Sequence, residues 1–99
     1  MAGHDIILFE GTEATKRANV IMNLVFARAL ARGYQPKGLE PYLVGLRAID
    51  RNLCRLGPDH GYCRGETLPD LLEVFFQHGS IAALPEELRQ IAEAFEPRR

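Results

Sequence analysis

The sequence lacks tryptophan, contains a single serine (Ser80), and has no apolar run of membrane-spanning length. A serine hydrolase places its nucleophile on a sharp strand-to-helix turn, so a lone serine in a connector argues against that class. The short apolar run at residues 6–9 is much shorter than the core of a secretory signal, and a spanning helix needs about twenty apolar residues. The sequence therefore predicts a protein with no membrane association.

The sequence is also poor in motifs that carry chemistry. Its glycines do not form either of the common phosphate-binding patterns. The adjacent carboxylates Glu86 and Glu87 fall at a predicted helix start, where the positive end of the helix dipole accounts for them without catalysis. We therefore expect a protein that is not an enzyme and uses no cofactor.

The composition is that of one small folded domain. The chain has 99 residues, of which 46% are hydrophobic and 25% charged, and its net charge is −1. Residues 1–64 carry nine Lys and Arg against six Asp and Glu, whereas residues 65–99 carry three against seven. We expect the acidic C-terminal part to fold over the basic helices, because opposite charges attract at short range.

The spacing of apolar residues, glycines and prolines predicts an all-α fold, a compact bundle of about four helices with a short extended N-terminal arm. Residues 1–99 form one helical domain, with an arm at 1–11, a helical core at 12–96 and a tail at 97–99. Thr67 and Asp70 have the spacing of a capping box at the third helix. The predicted helices cover residues 12–32, 39–56, 67–78 and 84–96.

The first predicted helix is the longest segment without glycine or proline. Thr12 is placed to cap its start and Gly33 to end it. Its apolar residues point in nearly all directions, which predicts burial on several sides. One side of the helix combines an apolar pair with two charges, and we expect a partner protein or a second copy of the chain to bind there: Arg17, Ile21, Leu24 and Arg28.

The second predicted helix contains a glycine and a row of arginines. Gly45 predicts a close helix crossing, which we expect at Ala27 and Ala31 of the first helix. Arg47, Arg51 and Arg55 follow at intervals of four residues, so they share one side. Asp50 and the acidic fourth helix could neutralise this row, an acidic protein could dock on it, or nucleic acid could bind it in a salt-sensitive way. Nucleic acid is disfavoured because no aromatic residues interleave with the arginines.

One cluster has residue types that can bind a metal. Cys54, His60 and Cys63 provide three candidate ligands, with Asp59, His4 or His78 as the fourth, but structural zinc sites usually pair cysteines two to four residues apart. A Cys54–Cys63 disulfide and a nucleophilic cysteine beside His60 are alternatives. The favoured interpretation is structural, with Cys54 a small helix residue and the segment a turn. Two cysteines without an export signal predict reduced thiols in the cytoplasm.

These patterns predict a non-enzymatic, cytoplasmic module that binds another protein, such as an accessory, regulatory or inhibitory protein. The partner would be an acidic protein or a second copy of the chain. One alternative is a metal- or thiol-dependent protein using the cysteine cluster. The other is a nucleic-acid binder using the arginine row.

Overall fold

The structure is a computed structural model, and it describes residues 13–98. It confirms the predicted helical bundle, and residues 13–98 contain five helices and one small sheet. The predicted arm at residues 1–11 and the predicted cap Thr12 lie outside the described residues. The elements in chain order are α1 (Glu13–Ala31), β1 (Tyr34–Pro36), α2 (Leu39–Leu56), α3 (Thr67–Leu71), α4 (Glu73–His78), α5 (Glu86–Ala92) and β2 (Phe95–Pro97).

Helices α1 and α2 form the centre of the fold. The inner side of α1 buries Ala18, Met22, Val25 and Ala29 completely. The close crossing predicted at Gly45 is present, but its partners differ from those predicted. A Cβ at Gly45 would lie 2.9 Å from Met22 Cε and 3.5 Å from the Cα of Ile91. The glycine therefore lets α2 approach both α1 and α5, and the prediction of Ala27 and Ala31 as its neighbours is wrong.

The remaining core is rich in aromatic side chains. Tyr34 lies between Phe75 and Phe76, with ring centroids 5.2 and 5.4 Å away, and its hydroxyl donates a hydrogen bond to the carbonyl of Phe75. Phe76 also meets the ring of Phe95 edge-on at 5.9 Å. Burying each such side chain contributes about 1.5–3 kcal/mol. This cluster holds α4 and the C-terminal strand to the segment that follows α1.

The predicted third helix is interrupted. Leu72, which is fully buried, separates α3 from α4 with φ −86° and ψ −4°, outside the usual helical range. The capping-box prediction is wrong, because Thr67 is itself the first helical residue and the preceding Glu66 makes no side-chain capping bond. Gly79 ends α4 in the left-handed conformation, directly after residue 78, where the predicted helix ends.

The two strands replace a predicted turn and a predicted helix end. Tyr34 pairs with Pro97 and Pro36 with Phe95 in an antiparallel ladder. The Arg98 amide also donates to the Gly33 carbonyl at 2.7 Å. Pro97 breaks helical structure and lacks an amide hydrogen, so it suits a short edge strand. The prediction of helix to residue 96 is therefore wrong, and Pro97 of the predicted tail at 97–99 belongs to a strand.

Ion pairs join the basic first part of the chain to its acidic C-terminal part, as expected. Arg55 of α2 pairs with Glu87 of α5 at 3.5 Å. Arg28 of α1 contacts both Asp70 and Glu73 at 3.0 Å. The acidic C-terminal part thus covers the basic helices. Within residues 13–98, no helix is both long enough and apolar enough to cross a membrane.

Candidate protein-binding face

The outward side of α1 carries four small or apolar residues in one row. Val20, Leu24, Ala27 and Ala31 lie within about 60° of one another, because a helix turns by about 100° per residue. All four are exposed, with Val20 at 59% and Leu24 at 45%. We call this row the outer face of α1. It is an apolar surface at the middle of the longest helix.

The loop at residues 57–66 runs beside this face and contacts it at Gly65. A Cβ at Gly65 would lie 3.2 Å from Leu24 Cδ1 and 3.7 Å from Ile21 Cγ1. A side chain at residue 65 would therefore press on Leu24. The close approach leaves a depression on either side of the contact.

The two depressions differ in charge. The first, of about 420 Å³, lies beside Leu24, Ala27 and Ala31. Its wall has two carboxylates, Glu66 and Asp70, against one guanidinium, Arg28, so we call it the acidic depression. The second, of about 240 Å³, lies beside Val20 and Ile21 and has Lys16 and Arg17 at its wall; we call it the basic depression. The outer face of α1 is therefore basic at its N-terminal end and acidic at its C-terminal end.

An ion-pair network fixes the acidic depression to α1. Arg28 Nη1 lies 3.0 Å from both Asp70 Oδ1 and Glu73 Oε1, and Arg32 Nη2 lies 3.0 Å from Glu73 Oε2. Glu73 and Asp70 raise the pKa of the Arg28 guanidinium, which therefore stays charged. Within residues 13–98 the Glu66 carboxylate makes no ion pair or hydrogen bond, and the Asp70 side chain is 67% exposed. The depression thus retains negative charge toward solvent.

The basic end also retains free charge. Lys16 pairs with Glu13 at 3.6 Å, with both side chains mostly exposed. Neither Arg17 nor Arg64 forms an ion pair with another residue of the described range. Both line a third depression of about 310 Å³ between the loop and Leu24, which also includes the carboxylates of Asp59 and Glu66. An acidic group brought to this end would find arginine donors without internal partners.

The predicted contact side of α1 is only partly at the surface. Leu24 and Arg17 are exposed as predicted, but Ile21 is 3% exposed, so its prediction as a surface residue is wrong. The loop covers Ile21 at Gly65, which the helical spacing could not indicate. Arg28 is half-buried in its network with Asp70 and Glu73. The exposed row therefore lies further round the helix than the predicted side.

The arginine row of α2 is largely occupied within the fold. Arg51 Nη2 donates to Gln90 Oε1 at 2.6 Å, and Arg55 Nη2 donates to the buried Asn52 at 2.8 Å and lies 3.5 Å from Glu87. Arg47 is exposed and has no ion pair within the described part of the chain. Two of the three arginines thus already have partners on α2 and α5.

The three predicted metal ligands do not meet. Cys54 is exposed on α2, whereas Cys63 is 1% exposed inside the core, and both are free thiols. His60 accepts a hydrogen bond at Nδ1 from the Tyr62 amide. Burial raises the pKa of the Cys63 thiol, although nearby Arg55 opposes the shift. Among residues 13–98, no three His, Cys, Asp or Glu side chains are grouped to hold a metal.

Some residues of the site were not predicted from the sequence. Val20, Ala27 and Ala31 could have been found from helical periodicity, because with Leu24 they repeat at intervals of four, three and four residues. Gly65 and Asp70 could not have been found in this way, since their positions beside α1 depend on how the loop and α3 fold back.

Comparisons with protein-family models, curated proteins and solved structures give no match to this chain.

Proposed function

We propose that this protein is a non-enzymatic binding module that contacts another protein chain through the outer face of α1. The observation that carries the proposal is the exposure of Val20 and Leu24 in the middle of the helix whose other side forms the core. Exposed apolar side chains scattered singly are ordinary on protein surfaces. A row of four on one helix, with a depression on each side, is a feature of interaction sites.

The chemistry around the row supports contact with a protein. An apolar centre bordered by charged groups is the usual arrangement of protein interfaces, in which the centre excludes water and the rim sets orientation. Arg17 and Arg64 would receive carboxylates of the partner. An accessory, regulatory or inhibitory role fits a surface that positions side chains for contact.

The proposal includes a location in the cytoplasm. Both cysteines are free thiols, and one of them, Cys54, is exposed. An exposed thiol fits a reducing compartment, where glutathione and thioredoxin keep cysteines reduced.

A photo-crosslinking residue at position 24 tests the proposal in cells. The same residue at position 44 is the matched control, because Val44 is 40% exposed near the middle of α2. We expect a protein adduct from position 24, none above background from position 44, and loss of the position-24 adduct when Val20→Asp is added. Val44→Asp should leave that adduct intact. Equal adducts from positions 24 and 44 would contradict the proposal.

A further inference from the structure

We infer that the occupant of the outer face of α1 is a second copy of the same chain, bound with the two α1 helices antiparallel. The inference rests on the proposed function, since it names the partner of the same face. It follows from the distribution of charge along the face. A surface that is basic at one end and acidic at the other is complementary to itself when one copy is turned end to end.

The side on which the charges lie selects the arrangement. Arg17 and Arg28 both lie on the same flank of the outer face, about 60° and 80° from Val20 around the helix. Asp70 contacts Arg28 and therefore lies on that flank as well. A two-fold axis perpendicular to the plane of the two helices makes them antiparallel. It keeps the charged flanks of both copies on the same side of the interface. Arg17 of each copy then faces Asp70 of the other.

A parallel arrangement would not pair these charges. A two-fold axis along the helices keeps both basic ends at one level and both acidic ends at the other. It also carries the charged flank of one copy to the opposite side of the interface, so Arg17 would lie far from Asp70 of the other copy and no opposite charges would pair. The antiparallel arrangement is therefore the one in which the charge pattern favours binding.

The spacing along α1 agrees with this pairing. Arg17 and Arg28 are eleven residues apart, which is about 16 Å along a helix. The midpoint falls between Val20 and Leu24, so a two-fold axis that joins Arg17 to Asp70 passes through the apolar part of the row. Val20 and Leu24 of one copy would then pack on Leu24 and Val20 of the other. The small side chains of Ala27 and Ala31 leave room for the partner helix.

The exposed charged groups of the face are those that this dimer would use. Arg17 has no ion pair among the described residues, and the Asp70 side chain, which contacts Arg28 at 3.0 Å, is 67% exposed. Two such contacts, related by the two-fold axis, would lie at the rim of an apolar centre. Interfaces of this kind follow isologous symmetry, in which residue i of one copy meets j and j meets i.

Sedimentation equilibrium on the purified 99-residue chain tests the inference. The α1 helix is about 28 Å long, and so short an interface predicts a dimer with a Kd in the micromolar range. Arg17→Glu alone and Asp70→Arg alone should each weaken the dimer about tenfold or more, because each places two like-charge contacts in it. Arg47→Glu, a charge reversal on α2, is the matched control and should leave the Kd unchanged.

Mixing the two variants gives the decisive measurement. A heterodimer of Arg17→Glu and Asp70→Arg chains pairs Glu with Arg on one side and Arg with Asp on the other. We therefore expect an equimolar mixture to recover dimers that neither variant forms alone at that concentration. Because a misfolded variant would not recover on mixing, circular dichroism of each chain serves as a folding check, and Glu66→Arg replaces Asp70→Arg if the latter unfolds.

The results separate this inference from the proposed function. A wild-type chain that stays monomeric at several hundred micromolar, or folded variants that do not recover on mixing, would overturn the antiparallel dimer. The photo-crosslink at position 24 is an independent test, because the mass of its adduct identifies the partner of the outer face. An adduct of twice the chain mass supports the dimer, and an adduct with a different protein contradicts it while preserving the binding module.

Discussion

The two longest helices present different outward surfaces, and the difference explains why only one is a candidate interface. Two of the outward arginines of α2 contact the neighbouring helix α5: Arg51 bonds to Gln90, and Arg55 pairs with Glu87. The outer face of α1 consists of valine, leucine and alanine, whose short apolar side chains have no such reach. Long charged side chains can find partners within the same chain, whereas short apolar ones remain exposed unless another surface covers them. The stronger charge pattern in the sequence thus marks the less available surface.

The largest difference in unfolding free energy is expected between substitutions on the inner side of α1 and substitutions on its outer face. Met22 is completely buried against Gly45, so Met22→Ala should lower the free energy of unfolding by about 2–5 kcal/mol through lost burial and a cavity. Leu24 is 45% exposed, and Leu24→Ala should cost about 0.5 kcal/mol or less in the monomer. Urea denaturation at a chain concentration well below the Kd of any dimer measures both. Equal losses would show that the outer face is packed in the monomer.

The inner side of α1 was predictable from the sequence to a greater extent than its surroundings. Uninterrupted helix-forming residues between Gly11 and Gly33 indicated the helix, and Gly45 indicated a close crossing. The partners of that crossing were not predictable, because Met22 and Ile91 come together only after α2 and α5 pack. Strands of three residues, such as Tyr34–Pro36, are too short to show a periodicity of two.

The candidate site was predictable only in part, for the same physical reason. Leu24 and Arg17 followed from helical spacing, while Ile21 was misplaced because a loop with no periodic signal covers it at Gly65. Asp70 gained its role from an ion pair with Arg28, 42 residues earlier in the chain. Local patterns define which side of a helix a residue occupies, but long-range packing decides which sides stay open.

The ion pairs of the two helices should also differ in strength. Glu73 meets Arg28 of α1 and Arg32, the residue after α1, at 3.0 Å, and its side chain is 18% exposed, so Glu73→Ala should cost about 1 kcal/mol. Glu87 meets one arginine of α2 at 3.5 Å and is more exposed, so Glu87→Ala should cost a few tenths of a kcal/mol. Urea denaturation at low and high salt checks this ranking, since salt should reduce the Glu73 effect. A larger loss for Glu87→Ala would reverse the comparison.

The buried thiol of Cys63 should make the stability of the fold depend on pH. Burial raises the pKa of the Cys63 thiol in the folded state, so the unfolded chain releases its proton first as pH rises. The stability that this thiol contributes is therefore present below its ordinary pKa of about 9 and declines above it. Cys63→Ala should reduce the decline in unfolding free energy between pH 8 and pH 10, as denaturation at each pH would show. A decline that Cys63→Ala leaves unchanged would contradict this assignment.

The smallest effects are expected in the arginine row of α2. Arg51→Ala removes one exposed contact to Gln90 and should change the free energy of unfolding by about 0.3 kcal/mol or less. Arg55→Ala should cost slightly more, about 0.5–1 kcal/mol, because Arg55 Nη2 is the hydrogen-bond donor to Asn52 Oδ1, a side chain that is 8% exposed. Neither substitution should change the Kd of the dimer, which sedimentation equilibrium measures alongside urea denaturation. If either one weakened the dimer, the interface would extend onto α2, since each arginine otherwise contacts only α2 or α5 among the described residues.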